Sequence, residues 1–227
     1  PEPLKPGSKI EFTMDWTFNI HDRMSFIGGR PGYEYFEKDG NYLYTMAEWF
    51  PRMAVYSDFQ GWQNKQFMGK GEFALTFGDY KVKITVPADH MVGATGVLQN
   101  PESVLNSVEL KRWEEAKKSY DKPVIIRTQA EAEKLEKTRA KDKKTWIYHA
   151  ENVRDFAWTS SRKLIWDAMA VKQRNRDVMA MSYYGKEGNP LWEQYSTKVV
   201  AHTIKSYGAK TFDYPYPVAI SVEASNG

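Results

Sequence analysis

The stretch EFALTFGDYKVKITVP, Glu72 to Pro87, carries the clearest structural signal in the chain. Phe73, Leu75 and Phe77 alternate with smaller or polar residues. Tyr80, Val82, Ile84 and Val86 then do the same opposite Lys81, Lys83 and Thr85. A period of two is the mark of a strand with one face buried, and Gly78-Asp79 between the two runs predicts a tight hairpin. The same period recurs upstream in KIEFTMDW, where Ile10, Phe12, Met14 and Trp16 alternate with Lys9, Glu11, Thr13 and Asp15, predicting a further half-buried strand. It recurs downstream in TWIYHAENVRDFAWTSS (145–161), in DVMAMSYYG (177–185) and in Val218, Ile220 and Val222. GGRPGYEYFEKDGN (28–41) and SDFQGWQN (57–64) read as loops by composition.

The middle of the chain changes period. NPESVLNSVELKRWEEAKKS (100–119) predicts a helix with Asn100 as N-cap and Pro101 at its first position. TQAEAEKLEKTRAKDKK (128–144) predicts another, fronted by Thr128. After Gly188 a third is expected, with Asn189 as cap, Pro190 at its start, Gly208 at its end and Trp192, Tyr195, Val199 and His202 on or near one stripe. Mixed Glu and Lys on the middle helices describe solvated faces rather than a nucleic-acid patch.

Composition narrows the function classes. The 227 residues include 32 basic and 29 acidic side chains, a net charge of +3, which argues against nucleic acid as the main partner. Cysteine is absent, which removes disulfides and thiolate zinc sites. No apolar run is long enough for a membrane-spanning helix. The chain opens at Pro1 without an initiator methionine, so a processed or excised piece is expected.

Few residues suggest chemistry. His21, His90, His149 and His202 stand far apart in sequence, without an i, i+4 pair or an H-E-x-x-H motif, and packed side chains are the expectation for each. Gly69-Lys70-Gly71 precedes a strand instead of following one, unlike a phosphate loop. Ser160-Ser161 lacks G-x-S-x-G context, and Glu114-Glu115 sit on a solvated helix. TMAEWFPRM (45–53) is the exception. Pro51 cannot continue a central strand, so an acid, two aromatics and an arginine meet at a corner.

Four long phrases give that corner a context: EWFPRMAVYSDFQGWQNKQFMGKGEF (48–73), YKVKITVPADHMVGATGVLQNP (80–101), ENVRDFAWTSSRKLIWDA (151–168) and YSTKVVAHTIKSYGAKTFDYPYPVAISV (195–222). In that order they resemble the front part of bacterial gluzincin zinc aminopeptidases, the family of alanyl aminopeptidases and leukotriene hydrolase. The resemblance runs from about Gly29 to Val222. It implies a mainly β fold. Residues 1–188 would form a large saddle-shaped β-sandwich with a small helical insert, and 189–227 the truncated start of a thermolysin-like catalytic domain.

The resemblance also implies a parent enzyme that removes N-terminal residues from peptides with a free amino terminus. Its zinc would be held by a catalytic domain beyond Gly227, so that this fragment binds none and is inactive alone. Glu48 falls where relatives use Gln or Glu to hold the substrate's α-amino group, with Met46 where some carry glutamine. Export to the periplasm or outside the cell is the matching expectation. A plainer reading makes Glu48 an edge charge that blunts aggregation. A different class remains open as well: a non-enzymatic β-sandwich module that uses its 8 Trp and 14 Tyr to bind carbohydrate or protein.

Overall fold

The computed structural model describes residues 3–25, 31–65 and 74–224. The fold is mainly β, with several sheets and no closed barrel. Strands β1 (Gly32–Phe36) and β2 (Asn41–Met46) form a hairpin, and β3 (Val55–Ser57) and β4 (Gly61–Gln63) a second, smaller one. Next come β5 (Gly78–Pro87), β6 (Met91–Ala94) and β7 (Val97–Leu98). The helical insert follows as α1 (Pro101–Val104), α2 (Ser107–Ala116), β8 (Val124–Arg127) and α3 (Gln129–Glu136). The chain continues through β9 (Lys143–Val153), β10 (Trp158–Ser161), β11 (Ile165–Lys172), β12 (Asp177–Tyr184), α4 (Thr197–Lys210) and β13 (Val218–Val222).

Two four-stranded sheets, β1-β2-β10-β6 and β13-β12-β11-β8, and the three-stranded sheet β5-β9-β7 enclose a shared core. Met91 and Val92 come from the first, Trp166, Ala168 and Tyr183 from the second, and Ile84 and Trp146 from the third. The layers meet closely at Gly93, where a Cβ would lie 2.8 Å from the Tyr183 ring, so only glycine fits there. A second cluster joins Ala201 and Ile204 of α4 to Met169, Val171, Val178 and Ala180. Beyond Asn189 the chain therefore shares a sheet and a core with what precedes it: α4 packs on β11 and β12, and β13 pairs parallel to β12.

Several expectations need correction. Lys9 to Trp16 forms no strand, and Ile10, Phe12, Met14 and Trp16 are exposed. Alternation specifies two faces but supplies no neighbour to pair with. Phe73 lies outside the described residues, as does Gly69-Lys70-Gly71, while Ala74 to Phe77 carry no strand. Gly78-Asp79 makes no hairpin, because β5 pairs instead with the distant β9 across a bulge where Asp79 Oδ1 accepts from Asn152 N at 2.8 Å. Within the expected loops, the tyrosines of GYEYF form a strand, and so do Gly61–Gln63, which pair with Val55–Ser57 at the edge of the second loop.

The helices also depart from expectation. The one expected after Asn100 breaks at Leu105, which is extended, and restarts behind Asn106 with a full capping box. Asn100 caps nothing with its side chain, which instead bridges Thr145 O (2.9 Å) and Ile147 N (2.9 Å) on β9. Thr128 caps α3 as expected, with Glu131 reciprocating. In the last helix Gly208 lies inside α4, not at its end. A π-helical turn over Trp192–Ser196 shifts the phase, so the buried stripe is Thr197, Ala201, Ile204 and Gly208, and Tyr195 and Val199 point outward.

Candidate functional site

Strand β2 ends at Met46, paired with Trp158, and the chain leaves the sheet five residues before Pro51. Glu48 follows with φ +54, a left-handed conformation that costs a non-glycine residue about 1–2 kcal/mol and needs local support to persist. The next residues supply that support. Trp49 Nε1 donates to Phe156 O at 2.9 Å, and its ring meets Phe50 at 5.0 Å. Phe50 packs edge-on against Tyr80 at 5.8 Å. Arg52 pairs with Asp155 at 2.9 Å, reaches Tyr80 Oη at 3.3 Å, and donates to the Arg154 carbonyl. Trp49, Phe50 and Arg52 thus clamp the corner to the β9–β10 connection, and Glu48 is held half-buried at its apex.

Beside this corner lies a cleft of about 1600 Å³. Thr45, Met46 and Ala47 line one part of it, Gly93 to Val97 another, and the segment Tyr214 to Val218 a third. The β9 end and the following connection complete it with residues 149–155, which include His149. Its walls mix apolar and aromatic surface (Phe77, Trp158, Tyr214, Tyr216) with a few charges, the usual make-up of a ligand cleft. Met46 is only 2% exposed, so it contributes to the floor. Arg23 also lines the cleft, a residue for which the sequence offers no signal, because the cleft joins segments far apart in the chain.

Several ionisable groups away from the cleft are buried and partnered within the fold. His90 Nδ1 and Ser160 Oγ lie 2.8 Å apart, the spacing of a base and its nucleophile, but both residues are sealed from solvent. Burial, reinforced by the Arg162 charge, pushes His90 down to about 4, so it is a neutral core side chain. Burial would raise Asp89, yet Arg162 (2.8 Å), the Ala140 N–H and Thr138 hold it down at about 2. Asp167, buried beside the Tyr184 hydroxyl (2.6 Å), is pushed up to about 6.

Lys163, 2% exposed, is enclosed by Asp39, Glu136 (3.1 Å) and Glu187 (2.9 Å), and joins the β1–β2 turn to α3 and to the segment after β12. His202 is exposed on α4 beside Ser206. Among the described residues no group of three or more His, Cys, Asp or Glu could hold a metal ion. No helix there is long and apolar enough to cross a membrane.

No family model, curated protein or solved structure matches the chain. Fold and cleft therefore define a mainly β chain with one large, mixed-polarity cleft beside a strained, clamped glutamate.

Proposed function

We propose that the chain is the substrate-side, amino-terminal part of a zinc-dependent aminopeptidase, with Glu48 receiving the free α-ammonium of a peptide. The observation that carries this reading is the clamped corner. A carboxylate stands in strained backbone next to a cleft, with three anchoring side chains spent on keeping it there. An ionised carboxylate accepts charge-assisted hydrogen bonds from an ammonium, each worth about 1.5–3 kcal/mol. The four phrases that resemble the family run through the corner and the cleft walls, which supports the same reading.

Among the described residues no group of three or more His, Cys, Asp or Glu could hold the zinc. In this reading the metal and its water belong to a separate catalytic domain, and this chain binds and orients the amino terminus. The outward face of the last helical region suits such a neighbour: Leu191, Tyr195, Val199 and Tyr207 are all more than half exposed. The rival binding-module reading has one observation in its favour, the exposed Tyr56, Phe59 and Trp62 of the β3–β4 hairpin.

The test is made in the protein encoded by the whole reading frame. It should carry H-E-x-x-H downstream, and Glu48→Ala should lower kcat/KM on free-amino peptides by about ten- to a hundredfold. Glu48→Gln, which keeps an acceptor, should cost less. A reading frame that ends or enters a linker after Gly227, or a stably folded Glu48→Ala enzyme at wild-type rate, overturns the proposal.

A further inference from the structure

Among the described residues Arg23 is a buried cation without a carboxylate partner. It follows the bridge between Asp22 and Tyr33, held by Arg23 N–H to Tyr33 O (3.0 Å) and Tyr33 N–H to His21 O (2.8 Å). The Asp22 carboxylate accepts from Met24 N at 2.9 Å and closes the turn around it. Its aliphatic stem lies flat on the start of β1: a Cβ on Gly32 would sit 3.0 Å from Arg23 Cβ and 2.8 Å from His21 O, so glycine there makes room for it. The residue is 8% exposed.

Its guanidinium donates to Thr45 Oγ1, and its buried Nε has no hydrogen-bond partner. None of the ion pairs among the described residues includes it. The other buried Arg and Lys among the described residues are matched: Arg127 by Glu109 at 2.6 Å, and Lys163 by three carboxylates. A largely buried guanidinium that meets one neutral hydroxyl is poorly compensated, and an anion arriving from outside would supply the missing counter-charge. Arg23 and Thr45 both line the cleft, which offers that route.

We infer that Arg23 is the anion-recognition group of the cleft and that it takes a ligand carboxylate, with Thr45 beside it. A guanidinium presents parallel N–H donors that match the two oxygens of a carboxylate. A single nine-tenths-buried cation with one hydroxyl balances a monoanion, whereas a phosphate dianion calls for more donors. The ligand class is therefore a peptide that brings a carboxylate into the cleft, from its C-terminus or from an acidic side chain. The peptide character rests on the reading proposed above; the capture of a carboxylate rests on Arg23 alone.

The experiment measures binding of N-acetylated tripeptides to the 227-residue chain by calorimetry. Acetylation removes the ammonium on which the Glu48 reading depends, so either idea can fail without the other. Acetyl-trialanine as the free acid should bind about tenfold or more tightly than its C-terminal amide. An amide with one glutamate side chain should match the acid if side-chain carboxylates are taken, and match the plain amide if only the C-terminus is. Arg23→Gln, checked for an unchanged thermal midpoint, should erase the preference. Arg23→Lys, which keeps the charge and loses the fork, should retain only part of it and serves if the glutamine variant fails to fold. Equal affinity for all three peptides, no binding of any, or a preference that survives both substitutions overturns the inference.

Discussion

Trp49 and Phe156 are 107 residues apart in sequence and joined by one hydrogen bond, from the indole N–H to the Phe156 carbonyl at 2.9 Å. That bond ties the end of β2 to the β9–β10 connection and sets the direction in which the chain leaves the sheet. With the Phe50 and Arg52 contacts it holds the corner at which Glu48 has φ +54.

The strain at Glu48 can be measured apart from its side chain. Glu48→Gly and Glu48→Ala both remove the carboxylate, but only glycine adopts positive φ without steric cost. Glu48→Gly should be more stable than Glu48→Ala by about 1 kcal/mol in urea unfolding. Equal stability would mean that the corner relaxes when the side chain is lost.

Lys163, itself buried, meets three carboxylates, of which Asp39 and Glu136 also meet Lys186. Lys163→Met keeps the volume but leaves Asp39 and Glu136 with Lys186 as their cation, which should cost up to about 3–5 kcal/mol at pH 7. Burial alone would raise Asp39, and Lys163 holds it below the usual carboxylate range; without the lysine it takes up a proton more readily, so the variant should regain part of that loss as the pH falls. A pH-independent loss would assign the effect to packing.

Asp167 gives stability a distinctive slope. Burial raises it from 3.8 to about 6, against the opposing Thr197 and Tyr184 hydrogen bonds, with the Glu193 and Lys198 charges nearby. The folded state holds the proton more tightly than the unfolded state. Its contribution is therefore fully present below about pH 4 and is lost as the pH rises through about 6, by about 3 kcal/mol. His90, held at about 4, contributes the opposite slope between 4 and 6.5, because its neutral form is the folded one. The readout is thus a difference: wild type minus Asp167→Asn should decline between pH 4 and 6 in denaturant titrations. A flat difference would contradict it.

Ile204, 5% exposed, anchors α4 against Met169, Val171 and Val178. Ile204→Ala should cost about 2–5 kcal/mol. If the shared core makes the chain one cooperative unit, calorimetry should show a single transition moved to lower temperature. A second, early transition confined to the C-terminal residues would place a boundary near Gly188.

How far the sequence reveals this structure varies from element to element. The alternation from Tyr80 to Val86 and the cap at Thr128 are local effects, and each stands where its residues predict, whereas the strand expected to stop at Pro51 already ends at Met46. Strand β11 is hidden because Ile165 to Val171 is buried on both faces, which erases any period of two. Strands β1 and β2 hide behind the turn formers that join them. Asn100 has the right neighbours for a cap, yet its amide is taken by β9, a partner 45 residues away. The cleft is less visible still, since Arg23, Thr45, Gly93 and Val218 come together only through the sheet order.

The exposed stretch before Arg23 has a practical consequence. From Ile10 through Phe12, Met14, Trp16 and Phe18 to Ile20, every second side chain is an exposed apolar group, Trp16 lying 6.2 Å from the Trp49 ring, and no strand runs alongside them among the described residues. Such a ribbon is sticky to its own kind, and a net charge of only +3 offers little repulsion to keep molecules apart. Concentrated stocks should cloud on standing, and a lysine in place of Phe12 or Met14 should keep them clear while leaving the melting temperature where it was.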